Sequence, residues 1–286
     1  MFPSTLHLQF GLVGYPLTHS LSPQIHAAAL KACGLKGTYS LFSLRLDDTQ
    51  GLKNLLARLR KGELHGLNVT MPHKQSVIEY LDDLTPTAKT IGAVNTIYRR
   101  ENKLIGDNTD AQGFLLDLRQ FLDKRTLQFE NHKAALVLGA GGSARAVVYA
   151  LVNDGWKVTL AARRIEQAQH LAESFTNYRL NILALADLQV LDFDLIVNTT
   201  PLGMIPHTDQ SPLPQNLSFP SNTFIYDLIY NPVETKLVRT ARIQGLHATT
   251  GLGMLIEQAA LAFEIWTGRN PPREILHASI KHIPIL

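Results

Sequence analysis

Apolar residues in the first third of the chain alternate between short runs typical of buried strands and longer stretches with helical spacing. The pattern predicts strands at Phe10–Gly14, Tyr39–Leu44 and Leu64–Val69, and helices at Ser22–Cys33, Thr49–Arg60 and Ser76–Leu81. In the first of these helices, Ser22 is predicted as the N-cap, with Pro23 at the first helical position. Alternation of strands and helices predicts a mostly parallel sheet.

The pattern then changes to a hairpin and a long helix. Ala93–Tyr98 and Lys103–Ile105 flank Arg100-Glu101-Asn102, which favours two antiparallel strands joined by a turn. A helix is predicted from about Asp110 through Leu122. The charged and polar segment Lys124–Lys133 is interpreted as a linker.

After this linker, the strand–helix alternation begins again, which predicts a second α/β unit. Its predicted strands are Ala134–Leu138, Lys157–Ala161, Leu195–Asn198, Phe224–Leu228 and a short one near His247–Thr249, and its predicted helices are Ser143–Asp154, Gln167–Phe175 and Thr235–Ile243. Helices at Leu255–Thr267 and Arg273–Ile280 follow. Pro201–Pro220 is interpreted as an ordered loop over a site or as a surface loop.

Composition narrows the class of protein. The 286 residues are 45% hydrophobic and 18% charged, with a formal net charge of +3, which is typical of a globular domain rather than a disordered chain. The sequence has no concentrated basic stripe of the kind that binds nucleic acid, and no apolar run long enough to predict a membrane span. Met1–Leu8 has no cationic segment followed by a long apolar stretch, so no secretory signal is expected. The single cysteine, Cys33, cannot form an internal disulfide, so we expect a reducing compartment, the cytoplasm.

A glycine-rich turn directly follows the first strand of the second unit. Gly139, Ala140, Gly141, Gly142, Ser143 and Ala144 form the pattern G-x-G-x-x-A between a strand and a helix, which is typical of dinucleotide binding. Gly139 allows the tight turn, and Gly141 lets a pyrophosphate approach the backbone at the helix N-terminus. The alternative is a glycine-rich turn that binds no ligand.

The end of the next strand indicates which dinucleotide binds. An NAD site usually carries an acidic residue there, whereas this strand ends in Ala162, Arg163 and Arg164. Guanidinium groups pair with a 2′-phosphate, so NADP is the predicted cofactor. The alternative is that both arginines are ordinary exposed charges. The predicted fold is therefore α/β with two domains: an N-terminal substrate domain over 1–110, on which helices in 254–286 pack back, and a Rossmann-like NADP-binding domain over 111–253.

Four polar loops in the first unit are predicted to follow the ends of strands. They begin at Gly14, Asn68, Gly92 and Gly106 and carry His19, Ser20, Ser22, Thr70, Lys74, Asn95 and Asp110. Ligands in open α/β sheets bind outside the carboxyl ends of strands, so these loops predict one pocket. Paired cysteines and the metalloprotease and esterase motifs are absent from the sequence, and we expect no metal.

These motifs, taken with several in the second half, resemble the shikimate dehydrogenase family over nearly the whole chain. The later motifs are Asn198-Thr-Thr-Pro-Leu-Gly203-Met204, Tyr226-Asp-Leu-Ile-Tyr230-Asn-Pro and Gly251-Leu-Gly-Met-Leu-Ile-Glu-Gln258. The resemblance implies NADPH-dependent, reversible reduction of 3-dehydroshikimate to shikimate, as part of aromatic amino acid biosynthesis. We therefore expect a small-molecule substrate and no nucleic-acid or membrane partner. The expected assembly is a homodimer.

The resemblance also implies roles for individual residues. Ser20 and Ser22 would bind the substrate carboxylate, Thr70, Asn95 and Gln258 the ring hydroxyls, and Tyr230 the substrate beside the nicotinamide. Lys74 and Asp110 match the family's catalytic pair. A structural alternative exists for several of them: a helix cap for Ser22, local bonding for Asn95 and Gln258, a strand aromatic for Tyr230, and a surface ion pair for Lys74 and Asp110.

The implied cofactor residues are Gly139 to Ser143, Ala162, Arg163, Arg164, Gln167, Leu228 and Gly251. The chain departs from the family pattern beside Arg163, where a second arginine usually follows three residues later. Here Arg164 comes next and Gln167 stands further on. A second departure is Thr250, where an acid or amide often precedes the glycine.

Three other functions compete with this interpretation. A quinate/shikimate dehydrogenase with relaxed cofactor and substrate choice is the nearest, and the missing acid near Arg163 disfavours it. A non-catalytic NADP sensor would be expected to lose Lys74 or Asp110. The third is another two-domain NADP enzyme, such as a tetrahydrofolate dehydrogenase or a glutamyl-tRNA reductase, which the Ser20/Ser22 motif disfavours.

Overall fold

The computed structural model describes residues 6–123, 133–189, 192–213, 217 and 219–281. Most of the predicted linker, 124–132, lies outside the described residues, as does part of the Pro201–Pro220 loop. The chain divides into two compact units. The first unit lies within Met1–Gly113 and Ile256–Ile283, and the second within Phe114–Leu255.

The first unit contains a six-stranded sheet with helices along the chain between its strands. Its elements are β1 (His7–Gly14), α1 (Ser22–Ala32), β2 (Lys36–Ser43), α2 (Thr49–Arg60), β3 (Gly66–Val69), α3 (His73–Ser76), β4 (Asp83–Leu84), α4 (Pro86–Ile91), β5 (Thr96–Arg100) and β6 (Lys103–Asp107). The helix α5 (Asp110–Asp123) begins in this unit.

The order of strands in this sheet is β2-β1-β3-β5-β6-β4. Strands β1, β2 and β3 are parallel, whereas β5 runs antiparallel to both β3 and β6. The carboxyl ends of β1, β3 and β6 and the amino end of β5 therefore lie at one edge of the sheet. This edge carries the four polar loops. The prediction that each follows a strand is wrong for the loop at Gly92, which follows α4 and precedes β5.

Helix α2 illustrates how the core of this unit forms. Leu52, Leu55, Leu56 and Leu59 follow a helical spacing and are all buried, and the Asp48 side chain accepts a hydrogen bond from the Gly51 N–H at the helix start. The leucines pack with the buried faces of β1, β3, β5 and β6. This packing makes the sheet a rigid support for the loops at its edge.

The second unit contains a sheet in which every strand is parallel. Its elements are β7 (Ala134–Leu138), α6 (Gly142–Asn153), β8 (Lys157–Ala162), α7 (Ile165–Glu173), β9 (Asn181–Ala184), β10 (Leu195–Asn198), β11 (Phe224–Asp227), α8 (Lys236–Ile243) and β12 (His247–Thr250). The order β12-β11-β10-β7-β8-β9 has the Rossmann topology: β8 and β9 are added on one side of β7, and β10, β11 and β12 on the other side. The helices α9 (Leu252–Thr267) and α10 (Arg273–Ile280) complete the described chain.

The structure confirms the α/β class and most of the predicted elements, including the hairpin formed by β5 and β6. Ser22 is not an N-cap, however. The Leu21 carbonyl accepts the first helical hydrogen bond, from the Ile25 N–H, so Leu21 is the cap and Ser22 is the first helical residue.

Other differences concern short elements. The prediction of a helix over Ser76–Leu81 is wrong in type: Ser76 ends α3, Val77–Tyr80 form a 3₁₀ turn, and the extended backbone of Leu81 ends that turn. The elements β4, α4 and β9 have no sequence prediction. Among the described residues, none of the helices combines the length and apolar character needed to cross a membrane.

Candidate active site

Backbone hydrogen bonds join the polar loops at the edge of the first sheet. The Tyr15 N–H, in the loop after β1, donates to the Met71 carbonyl in the loop after β3, over 2.9 Å. The Asn95 N–H donates over 3.0 Å to the carbonyl of Asp107, at the end of β6. The loops predicted to form one pocket are therefore neighbours.

Gly14 is a point of close approach between two of these loops. A Cβ atom on Gly14 would lie 2.3 Å from Cγ2 of Thr70 and 2.8 Å from the Met71 carbonyl oxygen. Only glycine allows the backbone after β1 to pass so near the backbone after β3. Thr70 is half-buried beside this contact.

Lys74, which is half-buried, and Asp110, which is buried, form an ion pair at this edge. Nζ of Lys74 donates to Oδ2 of Asp110 over 2.6 Å, and the two side chains are 14% and 6% exposed. Lys74 lies in α3, where its carbonyl accepts from the Val94 N–H over 2.7 Å. Asp110 is the first residue of α5, where the positive end of the helix dipole favours a carboxylate. A buried charge is stable only when it is paired, so the low exposure argues against an ordinary surface ion pair.

Asn95 holds the segment that leads into α5. Its Nδ2 donates to Oδ1 of Asp110 over 2.8 Å and to Oγ1 of Thr109 over 2.9 Å. Its Oδ1 accepts from the Thr109 N–H over 2.8 Å. Asp110 thus has one carboxylate oxygen on Lys74 and the other on Asn95.

Helix α9 brings Gln258 to the same cluster. Nδ2 of Asn95 lies 3.4 Å from Oε1 of Gln258. Gly113 makes this approach possible, because a Cβ atom there would lie 2.8 Å from the Gln258 backbone nitrogen. The structure therefore brings together Lys74, Asn95, Asp110 and Gln258, although they come from distant parts of the sequence.

Ser20 and Ser22 lie in the loop between β1 and α1 and at the start of that helix. Oγ of Ser20 accepts from the Ser22 N–H over 3.3 Å, so the two serines are held next to each other. Ser22 is buried and Ser20 is half-buried. The pair offers hydroxyl groups that can donate to a carboxylate.

Asn68 and Thr109 belong to the same cluster, although the sequence analysis assigned no role to either. Both are buried polar residues. Nδ2 of Asn68 donates to the Asn95 carbonyl over 3.1 Å, and Thr109 bonds to the Asn95 side chain. Asn68 and Thr109 belong to the polar motifs of the sequence. They differ from other polar residues of these motifs in being buried, and burial depends on packing that the sequence does not show.

His26 is buried close to this cluster. Its ring stacks on that of Tyr39, with centroids 4.2 Å apart and planes at 5°. Loss of solvation lowers the pKa of His26 to about 3, and the Asn68 side chain opposes part of that shift. His26 is therefore neutral at physiological pH and acts as an aromatic core residue.

In the second unit, the glycine-rich turn leads from β7 into the start of α6. Gly139 has a φ of +104°, which other residues rarely adopt, and a Cβ atom there would lie 2.8 Å from Oγ1 of Thr199. A Cβ atom on Gly141 would meet nothing within 4 Å, so this position opens away from the protein. Gly141 is the N-cap of α6 and has no side chain to cap the helix. Ala140, Gly142 and Ser143 complete the turn, and Ala144 is fully buried under it.

The end of β8 lies beside this turn. The Gly139 N–H donates over 2.8 Å to the carbonyl of Ala161, one residue before Ala162. Arg163 and Arg164 follow and are both exposed, and the exposed Gln167 lies in the first turn of α7. Two cations thus stand next to the predicted pyrophosphate position, with no acidic residue at the end of the strand.

A buried carboxylate organises the ends of β10 and β11. Asp227 accepts from Nδ2 of Asn198 over 2.9 Å, from the Thr235 hydroxyl over 2.7 Å and from the Ile229 N–H over 3.1 Å. Burial raises the pKa of Asp227 to about 6, although these three donors oppose the shift. The sequence analysis assigned no role to Asp227 or Asn198.

Leu228 and Gly251 lie against each other in this region. A Cβ atom on Gly251 would be 2.0 Å from the Leu228 carbonyl oxygen, so the backbones approach as closely as glycine permits. Tyr230 follows shortly after Leu228 in the sequence and is half-buried, and burial raises the pKa of its phenol. Its predicted contact with the substrate stays a prediction.

Family models match three parts of the chain. The model of the shikimate dehydrogenase substrate binding domain matches residues 12–97, and that of shikimate/quinate 5-dehydrogenase matches residues 122–211. The model of the shikimate 5′-dehydrogenase C-terminal domain matches residues 251–281. The matches cover both units.

Full-length relatives give the same result. The chain is 42% identical to the NADP(+) shikimate dehydrogenase of Carboxydothermus hydrogenoformans over 94% of this chain and 95% of the relative, and 38% identical to that of Bacillus subtilis over 95% of each. A crystal structure of shikimate 5-dehydrogenase from Thermus thermophilus, in complex with NADP(H) and shikimate, superposes with a TM-score of 0.83 at 38% identity. The superposed region covers 95% of this chain and 98% of the Thermus thermophilus chain. The chain therefore belongs to the shikimate dehydrogenase family.

Proposed function

We propose that this chain is an NADP-dependent oxidoreductase that interconverts 3-dehydroshikimate and shikimate, a step in aromatic amino acid biosynthesis. Membership of the family and the NADP(+) names of its relatives support the activity. The observation that carries the mechanism is the ion pair of Lys74 and Asp110, with Nζ and Oδ2 separated by 2.6 Å. In this proposal, Lys74 and Asp110 are the catalytic residues.

Reduction of a ketone requires charge to be neutralised at its oxygen. NADPH, when bound, supplies the hydride that adds to the carbonyl carbon. Lys74 binds the carbonyl oxygen and gives it a proton as negative charge develops there, which stabilises the transition state. In the direction of oxidation, Lys74 takes the same proton from the substrate hydroxyl.

Asp110 holds the ammonium group of Lys74 in place for this transfer. Its second oxygen is occupied by the Asn95 amide, so the carboxylate cannot turn away from Lys74. A group held by surrounding hydrogen bonds loses less freedom on reaching the transition state. The arrangement therefore supports orientation as the main role of Asp110.

The remaining polar side chains at this edge would bind the rest of the substrate. Ser20 and Ser22 would donate to the carboxylate, and Thr70, Asn95 and Gln258 would bond to the ring hydroxyls. In the second unit, Tyr230 would contact the substrate. The hydroxyl and amide groups in this set match a ring that carries one carboxylate and several hydroxyls.

The second unit has backbone and side-chain groups that would bind NADP. Gly139 to Ser143 would hold the pyrophosphate at the N-terminus of α6. The exposed Arg163 and Arg164, with Ala162 and Gln167 beside them, would hold the 2′-phosphate. The backbones of Leu228 and Gly251 would line the nicotinamide.

We propose further that each unit binds one of the two ligands. Residues 1–110 with the last helices would form the substrate domain, and 111–253 the NADP-binding domain. We also propose a homodimer in the cytoplasm, where the thiol of Cys33 would stay reduced. Gel filtration with light scattering tests the dimer.

The activity is tested by mixing the protein with NADP and shikimate and following absorbance of the reduced nicotinamide. We expect rapid reduction of NADP, much slower reduction of NAD and little turnover of quinate. Equal turnover with NAD and quinate would instead support the quinate/shikimate dehydrogenase considered above. No turnover of shikimate with either cofactor would contradict the proposed function.

A further inference from the structure

A phenol from the edge strand of the first sheet reaches the cluster that holds Asp110. The Tyr39 hydroxyl, on β2, donates to Oδ1 of Asn68, on β3, over 2.8 Å. Strand β1 lies between these two strands in the sheet. The bond therefore crosses a whole strand, and it is made by a side chain of a strand that carries none of the proposed catalytic or substrate-binding residues.

The Asn68 amide has only one orientation that satisfies its neighbours. Its Nδ2 donates to the Asn95 carbonyl and to Oγ1 of Thr96, each over 3.1 Å, so its Oδ1 must face a donor. The Tyr39 hydroxyl is that donor. Asn68 is 5% exposed, so water does not readily replace a lost partner.

Asn68 in turn acts on the residue that holds Asp110. It binds the backbone of Asn95, whose side chain donates to Oδ1 of Asp110 over 2.8 Å. A second route passes through Thr96, whose Oγ1 lies 3.4 Å from Oγ1 of Thr109. Thr109 then holds the Asn95 side chain, so both routes end on the same amide.

His26 limits the orientation of the Tyr39 ring. The two rings are stacked almost parallel, with 5° between their planes. His26 is 1% exposed and lies on α1, one helical turn after Ser22. Replacing Tyr39 by phenylalanine would keep this stack and remove only the hydroxyl.

We propose that Tyr39 is a positioning residue for this reaction, acting through Asn68 on Asn95 and thereby on Asp110. Tyr39 makes no proposed contact with the substrate or the cofactor. Without its hydroxyl, Oδ1 of Asn68 loses the phenol that donates to it, and the hold on Asn95 loosens. The inference rests on the proposed function, since it concerns turnover of shikimate.

The first test is the Tyr39→Phe variant. We expect kcat/KM for shikimate to fall about tenfold, the size of effect that loss of one buried hydrogen bond gives, with a higher KM for shikimate and an unchanged KM for NADP. Circular dichroism measures the folded fraction of the variant. A fall in kcat that matches a loss of folded protein, with both KM values unchanged, would contradict positioning. Tyr98→Phe is the matched control, because the Tyr98 hydroxyl accepts its hydrogen bond from the exposed Arg100 side chain, at the far end of the β5–β6 hairpin.

A double-mutant cycle tests the route of the effect. In an Asn95→Ala background, Tyr39→Phe should change kcat/KM for shikimate less than about twofold, because the residue through which it acts is gone. Asn68→Ala should give at least the loss of Tyr39→Phe, because it also removes the bond to the Asn95 carbonyl, and combining the two should give no further loss. An undiminished effect of Tyr39→Phe in the Asn95→Ala background would overturn the inference.

Turnover by the wild-type protein separates this inference from the proposed function. Absence of shikimate turnover in the wild type overturns both. An active wild type with a fully active Tyr39→Phe variant overturns the inference alone.

Discussion

Nζ of Lys74 and Oδ2 of Asp110 lie 2.6 Å apart, although 36 positions separate the two residues in the sequence. One comes from a four-residue helix after β3 and the other from the first turn of α5. Both elements start at the edge of the sheet where parallel strands end. The sheet thus places an ammonium and a carboxylate side by side in a setting with little exposure to solvent.

The Asp110→Asn variant tests the contribution of that carboxylate. We expect kcat to fall by about 10²-fold, since the lysine loses the charge that orients it while the side chain keeps its shape. The affinity for NADP, measured by quenching or calorimetry, should stay the same. Asp123→Asn is a suitable control, because Asp123 is an exposed residue at the other end of α5. An Asp110→Asn enzyme with wild-type kcat would exclude an orienting role.

Removal of the two arginines after β8 tests cofactor choice. In Arg163→Ala/Arg164→Ala, we expect KM for NADP to rise roughly 10- to 100-fold, the effect of losing charge-assisted hydrogen bonds to a phosphate. KM for NAD should change little, because NAD has no 2′-phosphate. Arg179→Ala, which removes another exposed arginine of the same unit, should leave both constants unchanged. Equal losses with NADP and NAD would argue against recognition of the 2′-phosphate.

Two glycines of the second unit should respond differently to replacement by alanine. In Gly141→Ala the new methyl group meets no protein atom within 4 Å. We therefore expect a stability change of no more than about 1 kcal/mol, the cost of a poorer N-cap, together with weaker NADP binding. In Gly251→Ala the methyl group would lie 2.0 Å from the Leu228 carbonyl oxygen, so the backbone must move and the melting temperature should fall.

Thermal unfolding and NADP titration of the two variants distinguish these effects. Normal NADP affinity in Gly141→Ala would show that no pyrophosphate approaches that backbone. Wild-type stability in Gly251→Ala would contradict the close contact with Leu228.

His26 should make the stability of the protein sensitive to acid. Burial lowers its pKa from 6.5 to about 3, so between these values the unfolded chain binds a proton that the folded chain does not. The free energy of unfolding therefore falls as the pH drops from 6.5 towards 3, by up to about 1.4 kcal/mol per pH unit from this residue. Above pH 6.5 both states are neutral at this residue, and its stability term no longer changes with pH.

His26→Phe isolates this term, since phenylalanine keeps an aromatic ring against Tyr39 and cannot take up a proton. Urea unfolding between about pH 7 and pH 4.5 should show a shallower loss of stability in the variant than in the wild type. Parallel pH curves for the two proteins would show that His26 does not titrate during unfolding.

Sequence patterns were sufficient for the long elements and for the motifs around the site. Thr49–Arg60, Ala134–Leu138 and Arg273–Ile280 have the predicted bounds, because their apolar spacing and flanking residues are unambiguous. The short elements β4, α4 and β9 have only two to six residues, too few for a periodic pattern. Their formation depends on neighbouring strands and loops.

The supporting residues of the site could not be predicted in the same way. Asn68, Thr109 and Asp227 are ordinary polar residues in the sequence, and only packing makes them buried and thereby important. The sequence predicts Ser22 as the N-cap of α1, whereas the structure has Leu21 there, and the reason is similar. The cap is defined by which carbonyl accepts the first helical bond, and this depends on backbone angles that side-chain preferences indicate only in part.

Comparison of Lys74→Ala with the wild type tests the catalytic assignment most directly. Shikimate-dependent reduction of NADP should fall by about 10²- to 10⁴-fold, while the dissociation constant for NADP stays close to that of the wild type. The melting temperature should fall, because the buried Asp110 carboxylate loses the lysine that is paired with it. A Lys74→Ala enzyme that reduces NADP at the wild-type rate would contradict the account.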